Sequence, residues 1–256
     1  MSAPTTHAWG SQPEMFGPRH EHRLAMFTRE TETLTPQSRV LDAAVGLGQL
    51  ASRVKRQGHE VFGVDASFEA VLHARRHYGI RTVLGDLTKL PFRTGVFDAI
   101  TSGETLEHLD DDRSAINELG RIIRDDGKVI VTVPALQSLW TASDDYYEHR
   151  RRYTSAALSN LFRDASFNIR TSDYWGFPIV LTYDTLFLLP MNKRRAKLKI
   201  AEDSALQSVA SAGKKRWLVN IVRAIFSLDR LFSFIPFGPG LLLIAHKQPS
   251  QKGASG

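Results

Sequence analysis

Three aspartates follow short apolar segments typical of buried strands, and two glycines follow the first of them. Asp42 lies in VLDAAVGLGQLA, Asp65 in VFGVDAS and Asp86 in TVLGDLTKLPF, and Gly46 and Gly48 come soon after Asp42. The carboxyl ends of parallel strands meet at one edge of a sheet, where ligands of open α/β sheets bind. A nucleoside ligand with an amino-acid tail needs three such anchors, for its tail, its ribose diol and its adenine edge. The aspartates therefore predict a site for a ligand of that kind.

The glycine loop alone leaves two ligands open. Glycine has no Cβ, so a loop that contains Gly46 and Gly48 lets a ligand approach the backbone closely. With Ala51 these glycines also satisfy the G-x-G-x-x-G/A pattern of dinucleotide sites, and Asp65 lies about 20 residues further on, as that pattern requires. Asp86 favours S-adenosylmethionine, because a nicotinamide dinucleotide would leave this carboxylate without a role.

A fourth strand in FDAITSGETLEHL and a fifth in DDGKVIVTVP complete an ordered set of motifs, and residues from about 39 to 172 resemble class I S-adenosylmethionine-dependent methyltransferases. The resemblance implies a Rossmann-like, seven-stranded α/β sheet with helices on both faces and a helical insert before the last strand. It also implies S-adenosylmethionine as the cofactor. The family usually has glycine where this chain has Ala44, which leaves less room for the cofactor's tail. The residues that the resemblance assigns to the cofactor are Asp42, Ala44, Gly46, Gly48, Asp65, Ala66, Asp86, Leu87 and Ser102.

A second group of polar residues, Glu104, Glu107 and His108, follows the fourth predicted strand. A short helix starting at Thr105 would project these side chains from the carboxyl edge of the sheet, beside the bound ligand. They are therefore candidates for catalytic proton transfer. An alternative for His108 alone is that it satisfies nearby backbone groups.

His149 extends this group by a second resemblance. The E-x-x-E-H spacing, with a later histidine before a helix, resembles ubiquinone-biosynthesis O-methyltransferases and small-RNA 2′-O-methyltransferases. The resemblance implies that Glu104, Glu107, His108 and His149 hold a divalent cation. Carboxylates and imidazoles together accept Mg²⁺, Mn²⁺ or Zn²⁺. Such an ion would lower the pKa of an attacking hydroxyl.

The segment SDDYYEHRRRYTSAAL around His149 is similar to one in many bacterial methyltransferases. This similarity implies that Asp144, Asp145 and Tyr153 line the pocket for the methyl acceptor. The arginines at 150–152 either belong to this pocket or pair with acids at the surface.

Strands and helices alternate along the chain, which favours a parallel sheet. Ser67 and Thr154 are predicted to cap helices, and the Asp126-Gly127 pair is predicted to turn the chain into the fifth strand. We divide the chain into an N-terminal segment with a lid helix (1–35), a cofactor-binding core (36–172), a helical insert that selects the acceptor (173–239), a final core strand (240–247) and a disordered tail (248–256).

Apolar residues recur every three or four positions near the end of the insert, which predicts a helix. The favoured interpretation is that this stripe packs on the main sheet. The alternative is that the aromatic residues of 214–237, beside the basic residues at 214–216, contact an apolar substrate or a membrane surface. The stripe consists of Trp217, Ile221, Ile225, Leu228 and Phe232.

The composition excludes some classes of function. The 256 residues contain no cysteine, so a disulfide framework and a thiolate metal site are ruled out. No apolar run reaches the roughly 18 residues of a membrane span, and the opening residues lack the pattern of a secretory signal. We therefore expect a cytoplasmic protein. The net charge of +6 allows attraction to anionic lipid or nucleic acid, although basic runs are more often solvated surface.

Together these features predict an S-adenosylmethionine-dependent O-methyltransferase that acts on a small hydroxylated metabolite with an apolar part. Transfer to nitrogen or carbon is the alternative among small acceptors. RNA methylation is less favoured, because no recognisable RNA-binding module accompanies the core. The sequence leaves the oligomeric state undetermined.

Overall fold

The computed structural model describes residues 17–190 and 216–249. A seven-stranded sheet lies at its centre, with the strand order β3-β2-β1-β4-β5-β7-β6. Strand β7 is antiparallel to both of its neighbours, whereas the pairs among the first five strands are parallel. The strands are β1 Arg39–Ala43, β2 Glu60–Asp65, β3 Arg81–Leu84, β4 Phe97–Gly103, β5 Ile123–Pro134, β6 Phe167–Trp175 and β7 Gly240–Lys247. The predicted seven-stranded α/β sheet is confirmed.

Helices cover both faces of this sheet. Over the described ranges they are α1 Pro18–Thr31, α2 Gln49–Arg56, α3 Phe68–Tyr78, α4 Asp112–Ile122, α5 Ala142–Tyr146, α6 Ser155–Asp164, α7 Ile179–Tyr183 and α8 Arg216–Phe226. The described ranges also contain four short segments: a 3-10 turn Leu106–His108 after β4, a 3-10 turn Gln137–Leu139 before α5, a π-helical turn Asp184–Leu188 after α7, and a 3-10 segment Ser227–Phe232 after α8.

Local signals in the sequence set several of these boundaries. The Ser67 and Thr154 hydroxyls accept hydrogen bonds from the backbone N–H groups of Ala70 and Ala157, so both act as the predicted N-caps. Gly79 ends α3 with a left-handed conformation, φ 61°, which glycine adopts without a steric cost.

The Asp126-Gly127 pair does not separate α4 from β5 as predicted. Strand β5 begins at Ile123, directly after the helix, and the pair lies inside the strand. Phe97 pairs with Ile123 and Ala99 pairs with Lys128, so residues 124–127 bulge out of the ladder. Asp126 takes φ 62°, and the turn chemistry therefore produces a bulge instead of a strand start.

Two apolar cores lie on opposite faces of the sheet. One contains Phe27 of α1, Val54 of α2 and Phe226 of α8. The other contains Ile116 of α4 and Phe162 of α6. Helix α1 therefore lies on the same face as the end of the insert.

The apolar stripe of the insert faces away from the sheet, contrary to the favoured interpretation. Trp217 is 63% exposed, and Ile221, Ile225, Leu228 and Phe232 are exposed as well. Phe226 is one of the aromatic residues that the alternative places against an apolar substrate or a membrane surface, but it is only 1% exposed and packs in the core. The basic residues at 193–199 and 214–215, and the end of the tail from 250, lie outside the described residues. Within the described ranges, helices fall short of the length and apolar character that a membrane crossing requires.

Candidate active site

A cavity of about 1060 Å³ lies at the carboxyl ends of β1, β2 and β4. After β1 the chain continues to β2 on one side of the sheet, and after β4 it continues to β5 on the other side. The crevice between β1 and β4 at this edge is the usual ligand site of an open α/β sheet. Gly46, Asp65 and Asp86 line one part of the cavity, and His108 and His149 line another. The cavity therefore joins the predicted cofactor residues to the second predicted group.

Asp65, the last residue of β2, organises the glycine loop that follows β1. One carboxylate oxygen accepts a hydrogen bond from the Gly46 backbone N–H at 2.9 Å, and the other accepts one from the Ser67 N–H at 2.9 Å. Burial raises the pKa of Asp65, and the backbone N–H groups of Ser67, Gly46 and Ala66 partly offset that effect. The carboxylate thus faces the cavity from a fixed position.

Asp86 and Leu87 line the cavity beyond β3. Asp86 is exposed, and one of its carboxylate oxygens accepts hydrogen bonds of 2.8 Å from the Thr88 backbone N–H and hydroxyl. Leu87 is buried beside it. Together with Ala66 these residues offer an apolar surface and a carboxylate edge, the features that an adenine ring requires.

Three predicted cofactor residues do not line the cavity: Asp42, Gly48 and Ser102. Asp42 is buried within β1 and accepts a hydrogen bond from the Thr101 hydroxyl of the neighbouring strand at 2.9 Å. Gly48 precedes α2 with φ 85°, and a Cβ there would lie 2.8 Å from the Ala74 Cβ of α3. This glycine allows two helices to pack closely, which is a structural role.

Ala44 lines the cavity in a conformation that favours glycine, with φ 68°. A left-handed backbone costs a residue with a Cβ roughly 1–2 kcal/mol. The Ala44 and Val45 backbone N–H groups both donate to the Val64 carbonyl oxygen at 2.9 Å, which holds the loop in this conformation. The methyl group therefore adds backbone strain besides occupying space in the cavity.

Three of the four predicted cation ligands come together in the structure. Ligand atoms of Glu107, His108 and His149 lie within 4.8 Å of one another. The Glu107 Oε1 atom is 3.8 Å from the His108 Nε2 atom and 4.0 Å from the His149 Nε2 atom. The backbone N–H of Arg150 donates to the Glu107 carbonyl oxygen at 2.8 Å, so the two loops that carry the group are joined directly.

Glu107 is a buried carboxylate without hydrogen bonds to its side chain. Its exposed fraction is 0%, and neither carboxylate oxygen has a hydrogen-bond partner among the described residues. Burial raises the pKa of Glu107 well above its usual value, and the negative charge of Glu104 raises it further. A cation between Glu107 and the two histidines would compensate this buried charge, so the donor set fits a divalent ion.

His149 is oriented by a carboxylate. Its Nδ1 atom lies 2.9 Å from the Asp144 Oδ1 atom, and the Arg152 guanidinium also donates to Asp144 at 2.8 Å. These partners outweigh the effect of burial and lower the pKa of Asp144 far below its usual value. An ionised Asp144 accepts a hydrogen bond from the Nδ1–H group, which leaves the His149 Nε2 lone pair directed toward Glu107 and the cavity.

Glu104 has a different partner from the one predicted. Its carboxylate lies 3.5 Å from the Arg23 guanidinium of α1 and outside the group formed by Glu107, His108 and His149. Although burial opposes ionisation, Arg23 and Arg19 lower the pKa of Glu104 below its usual value. Arg19 also pairs with Asp184 of the insert at 3.0 Å. Helix α1 is therefore joined to both the core and the insert at the cavity.

Sequence reasoning missed these two arginines. Arg19 and Arg23 are four residues apart on one helix, so they share a face, and this spacing was the available signal. Their acidic partners lie 81 or more positions away in the chain, and only the fold brings them together.

The remaining predicted residues divide between the cavity and its support. Asp144 lines the cavity, whereas Tyr153 is buried and donates to the Asp112 carboxylate at 2.7 Å. Asp145 accepts a hydrogen bond from the Trp140 indole at 2.9 Å. Arg150 pairs with Asp110 at 2.8 Å near the surface, as expected for solvated arginines.

Comparison with known proteins identifies a shared domain. Residues 41–131 match the family described as "Methyltransferase domain". A demethylmenaquinone methyltransferase of Mycolicibacterium vanbaalenii is 36% identical over 105 residues, which are 41% of this chain and 45% of the relative. One from Beutenbergia cavernae is 30% identical over 140 residues, which are 54% of this chain and 57% of the relative. The chain spans about half the length of the relatives it matches.

Solved structures share the fold over most of the chain. The (4+2)-cyclase SpnF has a TM-score of 0.62 and 20% identity, covering 96% of this chain and 88% of the cyclase. Phosphoethanolamine N-methyltransferase 2 of Haemonchus contortus, in complex with S-adenosyl-L-methionine, has a TM-score of 0.59 and 16% identity, covering 89% of this chain and 52% of that one. These similarities support the architecture alone, because one fold can support different reactions.

Proposed function

The chain belongs to the class I S-adenosylmethionine-dependent methyltransferase family, and on that basis we propose that it methylates a small hydroxylated acceptor with an apolar part. The family agrees with the one predicted from the sequence motifs. S-adenosylmethionine supplies an electrophilic methyl group on its sulfonium. The residues proposed to hold it are Ala44, Gly46, Asp65, Ala66, Asp86 and Leu87, with Asp42, Gly48 and Ser102 supporting them from outside the cavity.

The proposal rests on a single cavity whose lining combines carboxylates, histidines and apolar side chains. Asp65 and Asp86 are at the donor part, His108 and His149 are beside it, and Leu181 and the other leucines of the insert form an apolar wall. Methyl transfer is an in-line displacement, so the main task of the protein is to align donor and acceptor. Such positioning can supply roughly 7–11 kcal/mol of the barrier.

His149 is the proposed general base. Asp144 holds its Nδ1 atom, so Nε2 is free to accept the hydroxyl proton of the acceptor as the oxygen–methyl bond forms. The methyl–sulfur bond breaks at the same time, and its electron pair stays on sulfur. Burial and the neighbouring His149 lower the pKa of His108 to about 4, so His108 is neutral at pH 7 and adds no repulsive charge to the protonated base.

Binding of a divalent cation is a second proposal for the same group of residues. Glu107, His108 and His149 would be its ligands, while Glu104 would act through Arg23 and Arg19. A cation there would stabilise a deprotonated hydroxyl of the acceptor. The unpartnered buried carboxylate of Glu107 supports this proposal.

Transfer to carbon is the alternative that the relatives support. Both relatives are named demethylmenaquinone methyltransferases. A hydroxylated aromatic acceptor that loses a proton to His149 carries negative charge on oxygen and on ring carbons. The oxygen and the ring carbons are then all nucleophilic, so the same base could serve O-methylation or C-methylation.

A turnover assay with product identification tests the proposal. The purified protein is incubated with S-adenosylmethionine and hydroxylated aromatic acceptors with and without an alkyl tail, and a short RNA serves as the competing acceptor class. We expect methylation of a small acceptor and a fall of about a hundred- to ten-thousand-fold in turnover for His149→Ala. His77→Ala, an exposed histidine of α3, is the matched control. Equal turnover in the two variants, or methylation of the RNA alone, would contradict the proposal.

A further inference from the structure

The end of the insert presents a large apolar surface to solvent. We define the insert face as the exposed side chains of α8 and of the following segment to residue 234. It contains Trp217, Leu218, Ile221, Ile225, Leu228, Leu231, Phe232 and Phe234. Soluble proteins rarely expose so many large apolar side chains together, because burying each one is worth about 1.5–3 kcal/mol. An exposed apolar surface of this kind is typical of a binding interface.

The charges around the insert face have one sign. Between residues 216 and 234 the chain carries three arginines and a single acidic residue, Asp229. Asp229 is buried and accepts hydrogen bonds from the Ile179 and Val180 backbone N–H groups at 2.8 and 3.1 Å. Its charge is therefore directed into the protein, whereas Arg223 is half-buried and Arg230 is exposed.

Arg223 and Arg230 interact electrostatically with residues of helix α1. Burial and then the charge of Arg29 lower the pKa of Arg230, and Arg223 and Arg230 both act on the buried His22. Over residues 17–190 and 216–249, no acidic side chain forms an ion pair with Arg223 or Arg230. Arg230, which lies between the exposed Leu228 and Leu231, therefore adds positive charge beside the apolar surface.

Helix α8, which carries the insert face, packs against an element that borders the cavity. The turn Asp184–Leu188 carries Asp184, Thr185 and Leu188 on the wall of the cavity, while Leu186 and Phe187 of the same turn are 62% and 63% exposed. The Tyr183 ring of α7 packs against Phe226 of α8 at 5.3 Å. One short piece of chain thus connects the acceptor region to the exposed apolar surface.

We propose that the insert face docks on an anionic lipid bilayer and that the methyl acceptor enters the cavity from that bilayer. Apolar side chains would enter the boundary of the acyl chains, and the arginines would contact lipid phosphates. Docking would place the turn Asp184–Leu188 at the lipid surface. The route of the acceptor rests on the function proposed above, whereas docking itself does not.

Vesicle flotation tests the docking. The full chain is mixed with phosphatidylcholine vesicles that contain about 30 mol % phosphatidylglycerol, or none. We expect binding to the anionic vesicles, a loss of about fivefold for Arg230→Gln and a loss of about tenfold for Leu228→Gln. Leu84→Gln on the edge strand β3 is the matched control, since Leu84 is 52% exposed and Leu228 is 51% exposed.

The possible results separate the partners. Binding that Leu228→Gln reduces and Leu84→Gln preserves supports the proposal. No binding to anionic vesicles, or equal binding by the two variants, overturns it. A dimer in light scattering that Leu228→Gln converts to monomer, without vesicle binding, shows that a second copy covers the face and also overturns it. Leu228→Gln should keep its turnover on a water-soluble acceptor, so loss of docking is distinguishable from failure of the proposed chemistry.

Discussion

Replacing Glu107 with glutamine tests how the acidic and histidine group works. The Glu107 side chain is fully buried, its carboxylate oxygens accept no hydrogen bond within the described ranges, and its pKa is raised by burial and by Glu104. Glutamine keeps the shape of the side chain and removes the charge at every pH. The variant therefore isolates the free energy of the buried charge.

Without a divalent cation, the charge should destabilise the wild type. The folded-state pKa of Glu107 lies above its ordinary value of 4.5, so the protonated carboxyl contributes stability below pH 4.5. This contribution is lost as pH rises from 4.5 through the folded-state pKa. One proton corresponds to about 1.4 kcal/mol of unfolding free energy per pH unit. At this chain length about 1 kcal/mol moves the Tm by roughly 2–4 °C, so the wild type should lose roughly 3–6 °C per pH unit relative to Glu107→Gln.

A bound cation should reverse the comparison. At a concentration about 100-fold above the Kd, Mn²⁺ would add about 2.7 kcal/mol to the stability of the wild type, or roughly 5–11 °C. Glu107→Gln lacks the charged ligand and should gain much less. The assay is thermal unfolding between about pH 5 and pH 8, in EDTA and in MnCl₂. The exposed Glu32→Gln variant controls for the change in net charge.

Two results would refute this reasoning separately. If the Tm of the wild type and that of Glu107→Gln change in parallel with pH in EDTA, Glu107 is not a buried carboxyl with a raised pKa. If Mn²⁺ shifts the Tm of neither protein, or of both equally, the cation site is refuted and the His149 base remains.

Two further variants test the cofactor side. Ala44→Gly should raise the Tm by about 1–4 °C, because glycine adopts the left-handed backbone of this position without strain. The control Ala156→Gly, on the exposed surface of α6, should lower the Tm. A lower Tm for Ala44→Gly would contradict the strained loop. Asp65→Asn should weaken the binding of S-adenosylhomocysteine in calorimetry by about ten- to a hundredfold, because an amide NH₂ would face one of the two backbone N–H donors. The exposed Asp173→Asn variant should bind normally, and an equal affinity for both variants would count against Asp65 as a cofactor residue.

The sequence by itself determined the order of the elements. The strand predicted before Asp86 is found at Arg81–Leu84, and Ser67 and Thr154 cap the helices that they were predicted to cap. These predictions succeed because apolar runs, caps and glycine turns are decided by neighbouring residues. The family was determined in the same way, since its motifs lie in short stretches at the ends of successive strands.

Only the tertiary structure decided which side chains share the site. Asp42 belongs to the cofactor motif, but it accepts a hydrogen bond from Thr101 of β4 and does not line the cavity. Glu104 pairs with Arg23 of helix α1. The sequence could not assign these partners, because they lie 59 and 81 positions away along the chain. The exposure of the Trp217 stripe was undetermined for the same reason. Helical periodicity shows that one side is apolar, but whether that side meets the sheet or solvent depends on how the whole insert packs.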